Sequence, residues 1–282
     1  MAVGALLTAP GARVAWERSF LSGLGAGPTN QGGTSVGLLD EPISCESLVD
    51  ACRKYDKSKD NKRYNQSLDR FRTYIEIDIE APKSQDHLDL SKEDQCEALI
   101  DLLLNPWQCR QPNPILSPEP SDGEELVIRK TERNARLIAG LVDWWDETHE
   151  VRCRVPSDLR LSAATDADLD RVAQSFTGLA SIDTGDEIGY VHTFSNVPAS
   201  KTLYAWRPRL FMAWDKAIKK KCWIPQVGSA FHFVQFHKKA RMKLQALQNE
   251  TEDLERCISE ATGRVCTEAE ALNKYLFVKS RT

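Results

Sequence analysis

No stretch of this 282-residue chain approaches the roughly 18 consecutive apolar residues that a membrane-crossing helix needs, because Asp, Arg or Pro interrupts each apolar run. A spanning role is excluded on that ground. A Gly-rich phosphate loop, a serine nucleophile elbow and a His-Glu-x-x-His zinc signature are all lacking. No period repeats along the chain, which argues against a solenoid. The eight cysteines (Cys45, Cys52, Cys96, Cys109, Cys153, Cys222, Cys257 and Cys266) never fall at zinc-knuckle spacing. They read as buried free thiols in a reducing compartment, and the expected location is the cytoplasm. The short apolar run near the start precedes Arg13 rather than following a positive charge, the reverse of a secretory signal. Nothing calls for a cofactor or a metal. His232 and His237, five residues apart, would point about 140° apart on one helix.

What is present resembles an ordinary globular chain. With 41% hydrophobic and 28% charged residues, neither disorder nor a fibre is implied. The length suits one large domain or two small ones. Residues 1–39 differ from the rest: they hold more than half of the 15 glycines, with Arg13, Glu17 and Arg18 as their only charges. This is read as a flexible leader. Residues 40–110 form an N-terminal helical part. A loop at 111–124, rich in proline (Pro112, Pro114, Pro118, Pro120), separates it from a main helical domain over 125–282.

Apolar spacing of three and four residues recurs throughout, so the fold class is mainly α, an irregular multi-helix bundle with at most a minor β element. Ser44 caps a helix carrying Leu48, Val49 and Cys52. Leu68, Phe71 and Ile75 mark a second, although 73–79 alternates and is open to a strand reading. Ser91 with Asp94 predicts a capping box for the helix ending at Asn105-Pro106. Further helices are expected over 130–149, from Thr165 through Phe176, over 199–206, 214–222 and 229–248, and in the C-terminal 252–258 and 268–277. A turn or strand is expected over 185–192. Trp144 and Trp145 read as core.

Charge is unevenly placed. Residues 200–243 hold Lys201, Arg207, Arg209, Lys216, Lys219, Lys220, Lys221, Lys238, Lys239, Arg241 and Lys243 against the single acid Asp215. That window is +10, which leaves −14 for the remainder of a chain of net charge −4. Tyr204, Trp206, Phe211, Trp214, Trp223, Phe231, Phe233 and Phe236 are interleaved with the bases, a mixture suited to neutralising phosphates and stacking on bases. The expected partner is nucleic acid, with DNA favoured. Ser200, Arg207, Arg209, Lys216, Lys219, Lys220, Lys238 and Lys239 are the candidate contacts. The alternative is an aromatic core beneath a solvated lysine face.

Within the window, Pro208 stops a short helix carrying Lys201, and Asp215 opens the next, where a carboxylate is favoured by free N–H groups. A desolvated lysine can act as a nucleophile and a neighbouring carboxylate can stabilise a cationic intermediate, a pairing suited to chemistry at a sugar C1′. Lys201 and Asp215 are the candidate catalytic pair. The plainer reading makes Asp215 a helix cap and Lys201 a phosphate or surface contact. His192, just upstream, could orient a substrate.

A helix bearing Lys201, a turn at Pro208 and a helix opened by Asp215 resemble the helix-hairpin-helix DNA glycosylase superfamily over about residues 179–248. The resemblance implies a hairpin on the DNA backbone, with Lys201 attacking the sugar carbon and Asp215 assisting. The hairpin position reads Ser195-Asn196-Val197-Pro198-Ala199-Ser200. The Ser-Lys, Arg-Pro and Trp-Asp steps also resemble uncharacterised bacterial helical proteins, which implies no activity. A non-catalytic nucleic-acid- or protein-binding helical module is the alternative function.

Overall fold

In the computed structural model the described residues are 37–76, 88–104, 107, 123–183, 193–225, 228–251 and 253–282. Residues 1–36 of the leader, Cys109, 111–122 of the proline-rich stretch and 185–192, including His192, lie outside them.

The described residues are mainly helical. The helices are α1 (Cys45–Lys57), α2 (Lys59–Tyr74), α3 (Glu93–Leu104), α4 (Glu124–Glu147), α5 (His149–Cys153), α6 (Asp166–Ala180), α7 (Asn196–Trp206), α8 (Lys216–Lys221), α9 (Ala230–Gln248), α10 (Leu254–Thr262) and α11 (Glu268–Lys279), with a 3-10 turn at Leu161–Ala163. No strand occurs among the described residues, only an isolated bridge between Asp183 and Thr193. No described helix is long and apolar enough to cross a membrane.

The helix starts follow side-chain chemistry. Ser44, Thr165, Asp215, Asp253 and Thr267 each accept a hydrogen bond from a backbone N–H in the first turn they precede. Gly263, at φ +69°, ends α10 in the left-handed conformation that glycine adopts without Cβ strain. The expected box at Ser91 is corrected: its hydroxyl donates to Asp89 at 2.6 Å, and α3 starts at Glu93. The alternating stretch resolves as helix through Tyr74 and a turn at Ile75 and Glu76, with 77–79 outside the described residues.

Residues 37–282 form one compact unit. The helices on either side of the proline-rich stretch therefore share one core, with α3 packed on both α4 and α7. On one side α11 packs along α1, joined by α10; on the other, α9 packs along α6 and the 3-10 turn. Contacts between α9 and α11 join the two sides. Of the aromatics of the basic window, Tyr204, Trp206, Phe211, Trp214, Phe233 and Phe236 are buried in the core, whereas Trp223 and Phe231 are exposed. Phe176 and Phe233 stack at 4.2 Å, and Trp214 meets both rings edge-on. Trp144 and Trp145 close edge-on onto Trp206. The free cysteines divide: Cys52, Cys96 and Cys266 are buried, but Cys153 is exposed and Cys45, Cys222 and Cys257 are half-buried.

Two buried groups fix the packing. His237 accepts from the Met212 backbone N–H through Nε2 at 3.0 Å, so Nδ1 carries the proton and donates to the Phe233 carbonyl at 2.8 Å. Burial pushes its pKa down to about 4, against the weaker opposing pull of that carbonyl. Glu270, 1% exposed, lies among Arg72 (3.1 Å), Lys274 (3.4 Å) and Arg264 (3.8 Å). Burial alone would raise its pKa, but Arg72, Lys274 and Arg264 outweigh it and hold the carboxyl at about 2.

Removing the charge in Glu270→Gln leaves three cations without their shared anion and is expected to cost about 3–5 kcal/mol in urea unfolding. His237 gives a pH signature. Between the ordinary imidazole value near 6.5 and the folded value near 4, the unfolded chain takes up a proton that the folded chain refuses. Its contribution is present in full above about pH 6.5 and declines as the pH falls towards 4, by at most about 3 kcal/mol. Urea midpoints of wild type and His237→Gln should converge as the pH is lowered from 7 to 4.5; parallel curves would contradict this assignment.

Candidate functional site

The corner between α7 and α8 is fixed by Ser200. Its Oγ donates to the Val197 carbonyl at 2.9 Å and accepts from the Trp214 backbone N–H at 3.2 Å. The Trp214 indole N–H donates to the Asn196 carbonyl at 2.9 Å, a second tie across the corner. Residues 201 and 215 each follow one partner of the Ser200–Trp214 contact, so the corner brings both to the same side. There Lys201 and Asp215 line one open cavity of about 810 Å³. The backbone entering α7 is strained: Ser195 sits at φ +64°, a region that non-glycine residues rarely adopt.

Both side chains of the pair are engaged. The Lys201 ammonium donates to the Trp107 carbonyl at 2.8 Å and lies 5.9 Å from that residue's ring centroid. Asp215 Oδ1 accepts from the Ile218 N–H at 2.8 Å, capping α8, and Oδ2 pairs with Arg281. The cap expected of Asp215 is therefore present, inside the cavity wall.

The remaining lining comes from distant segments. Lys54, Tyr55, Asn61, Tyr64 and Asn65 come from α1 and α2, and Asn273, Lys274 and Phe277 from α11. Lys54, Lys201, Lys216, Lys274 and Arg281 outnumber Asp60 and Asp215, which favours an anionic occupant. Tyr64 and Trp107 add aromatic wall. Sequence reasoning concentrated on 200–243 missed the α1, α2 and α11 residues. The available signal was the four-residue step from Asn61 to Asn65 and from Asn273 to Phe277, which places each pair on one helix face.

The structure divides the expected nucleic-acid contacts. Lys216 is exposed on the cavity rim and Lys220 is exposed further along α8. Ser200, Arg207 and Lys219 are buried, and their placement assigns them to the core instead. The Arg207 guanidinium lies 4.6 Å from the Trp206 ring centroid. Arg209 pairs with Glu255 at 3.4 Å, Lys238 with Asp166 and Asp170 at 3.2 Å, and Lys239 with Asp40 at 2.6 Å. The counter-charges lacking within the window are thus supplied from elsewhere in the chain. His232 takes part in the Ser229 cap of α9, and His237 belongs to the core.

No protein-family model, curated protein or solved structure matches the chain.

The two roles of Asp215 can be separated by mutation. Asn keeps a capping oxygen and removes the charge, so Asp215→Asn should lie within about 0.5 kcal/mol of wild type. Asp215→Ala should lose about 1 kcal/mol in chemical denaturation.

Proposed function

We propose that this protein processes DNA in the manner of a base-excision glycosylase, acting in the cytoplasm and drawing one nucleotide of its strand into the cavity that Lys201 and Asp215 share. The observation that supports this reading is their placement on one open cavity with cationic and aromatic walls. Extruding a nucleotide exposes its sugar and base to chemistry that a duplex hides. The Lys201 ammonium passes one proton to the departing base, the freed amine attacks C1′, and the N-glycosidic bond breaks with its electron pair leaving on the protonated base. The Asp215 carboxylate balances the positive charge that develops on the sugar.

The strand contacts are assigned to α8 and the turn after it. Lys216, Lys220 and Lys221 are exposed there, and Trp223 is 59% exposed at φ +58°. An exposed tryptophan held in a strained backbone beside lysines offers a stacking surface next to phosphate contacts.

A second reading, a non-catalytic nucleic-acid-binding module, draws on the engagement of both candidates, Lys201 by the Trp107 carbonyl and Asp215 by Arg281. Cleavage assays decide between the two. Lys201→Ala and Asp215→Asn should each abolish cleavage of a base-lesion duplex while duplex binding persists; unchanged cleavage in both removes the enzymatic reading. For either reading, Lys216→Ala and Lys220→Ala should each reduce the slope of log K against log[salt] by about 1. Binding that ignores salt removes both.

A further inference from the structure

We infer that Arg281 is the phosphate contact of the cavity: the phosphate of an entering nucleotide takes the guanidinium away from Asp215 and so frees the carboxylate that serves the sugar. This rests on the nucleotide reading above and adds the residue that holds the phosphate, together with the exchange its arrival sets off.

The cationic wall of the cavity is not uniform. Lys274 is committed to Glu270 at 3.4 Å and Asp56 at 3.1 Å in the buried network, and the Lys201 ammonium donates to the Trp107 carbonyl. Arg281 is anchored differently. Its guanidinium carbon lies 3.4 Å from the Phe277 ring centroid, and Nη1 donates to the Phe277 carbonyl and to Ser280 Oγ, both at 3.1 Å. None of these contacts involves Asp215. On the other edge Nη2 donates to Asp215 Oδ2, and Nε has no partner among the described residues. Nε and Nη2 form the edge with which a guanidinium grips two phosphate oxygens side by side. That edge is thus set in place by neighbours in its own segment and engaged by one carboxylate oxygen.

The relative strengths favour an exchange. The two side chains of the Arg281–Asp215 pair are 42% and 23% exposed, and a pair so open to water contributes little. A phosphate offers the same edge two charge-assisted hydrogen bonds. Asp215 keeps its place when the pair opens, because Oδ1 still accepts from the Ile218 N–H at 2.8 Å. Lys216, next in the chain, lines the same cavity with no ion-pair partner among the described residues, and its charge offsets the repulsion between phosphate and carboxylate. Paired with Arg281, Asp215 has its charge balanced; once a phosphate holds Arg281, that charge is available to the cation developing on the sugar.

Two probes test this on the full chain without cleavage, deoxyadenosine 5′-monophosphate by titration calorimetry and a base-lesion duplex by fluorescence anisotropy, one carrying a free phosphate and the other strand phosphates. Arg281→Gln should weaken binding about tenfold or more. Arg281→Lys keeps the charge without the two-pronged edge and should fall between that variant and wild type. Asp215→Asn removes the competing carboxylate and should tighten binding about two- to fivefold. Lys279→Gln removes an equal charge from an exposed residue outside the cavity lining and should change either affinity by less than about twofold. A loss confined to one probe supports the inference and identifies the source of the phosphate. Wild-type affinity of Arg281→Gln for both probes overturns it, as does an equal loss in Lys279→Gln or weaker binding by Asp215→Asn. A chain that binds the monophosphate through Arg281 but no duplex keeps the phosphate contact and removes the DNA-processing reading. A chain that binds neither probe removes both.

Discussion

The buried carboxylate of Glu270 anchors the C-terminal helix against α1 and α2. Glu270 gathers Arg72 from α2, Arg264 from the turn before α11, and Lys274 one turn further along α11. Asp56 on α1 closes the network by pairing with Lys274 at 3.1 Å, and Asp69 on α2 pairs with Arg264. A charge so placed is costly to desolvate, and the cost is offset only while all three cations stay in position. The network therefore specifies one docking of α11 against α1 and α2. Next to it Glu268, fully buried, accepts from the Ser162 N–H at 2.7 Å and the Gln248 amide at 2.8 Å, fixing the same helix to the 3-10 turn and α9.

Ion pairs across the fold also offset part of the uneven charge of the chain. The +10 window supplies cations to acids lying outside it: Asp166 holds both Lys238 and Arg241, and Glu255 holds Arg209. Such pairs are worth little individually when exposed. Within the window they leave Lys216, Lys220 and Lys221 of α8 exposed and without an ion-pair partner among the described residues. Position in the fold, rather than abundance in the sequence, decides which lysines remain available to a phosphate.

Much of the helical layout was legible because its signals are local. Ser44, Thr165 and Asp215 announce helix starts through hydrogen bonds that span three residues, and the three- and four-residue apolar steps of α6 and α9 report the buried face directly. Ser91 misled because Asp89, two residues upstream, captured its hydroxyl. The corner joining Lys201 to Asp215 was legible for the same reason, since fourteen residues and one proline leave few ways to turn. What could not be read was long-range. Arg207 and Lys219 look like phosphate contacts until tertiary packing buries them, and Asn61, Asn65 and Asn273 carry no motif. Asn273 joins Asn61 and Asn65 on one cavity only when α11 docks on α1 and α2, a docking held by Glu270.

The cavity accordingly has two walls with different dependence on the fold. Lys274 lines it and also belongs to the Glu270 network, so its substitution disturbs packing together with any ligand contact. Tyr55 lies in the same wall, its ring 5.6 Å from the Lys274 ammonium, and burial raises its hydroxyl pKa. Lys201, Asp215 and Lys216 lie on the other wall, tied to a backbone carbonyl, a cap and solvent, and none of them contacts that network in the described structure. The buried ion network thus lies on one side of the cavity and the candidate pair, Lys201 and Asp215, on the other. A rim free to exchange its partners against a floor that cannot is the arrangement a binding site needs, because a ligand can replace the Trp107 carbonyl or Arg281 without loosening the core.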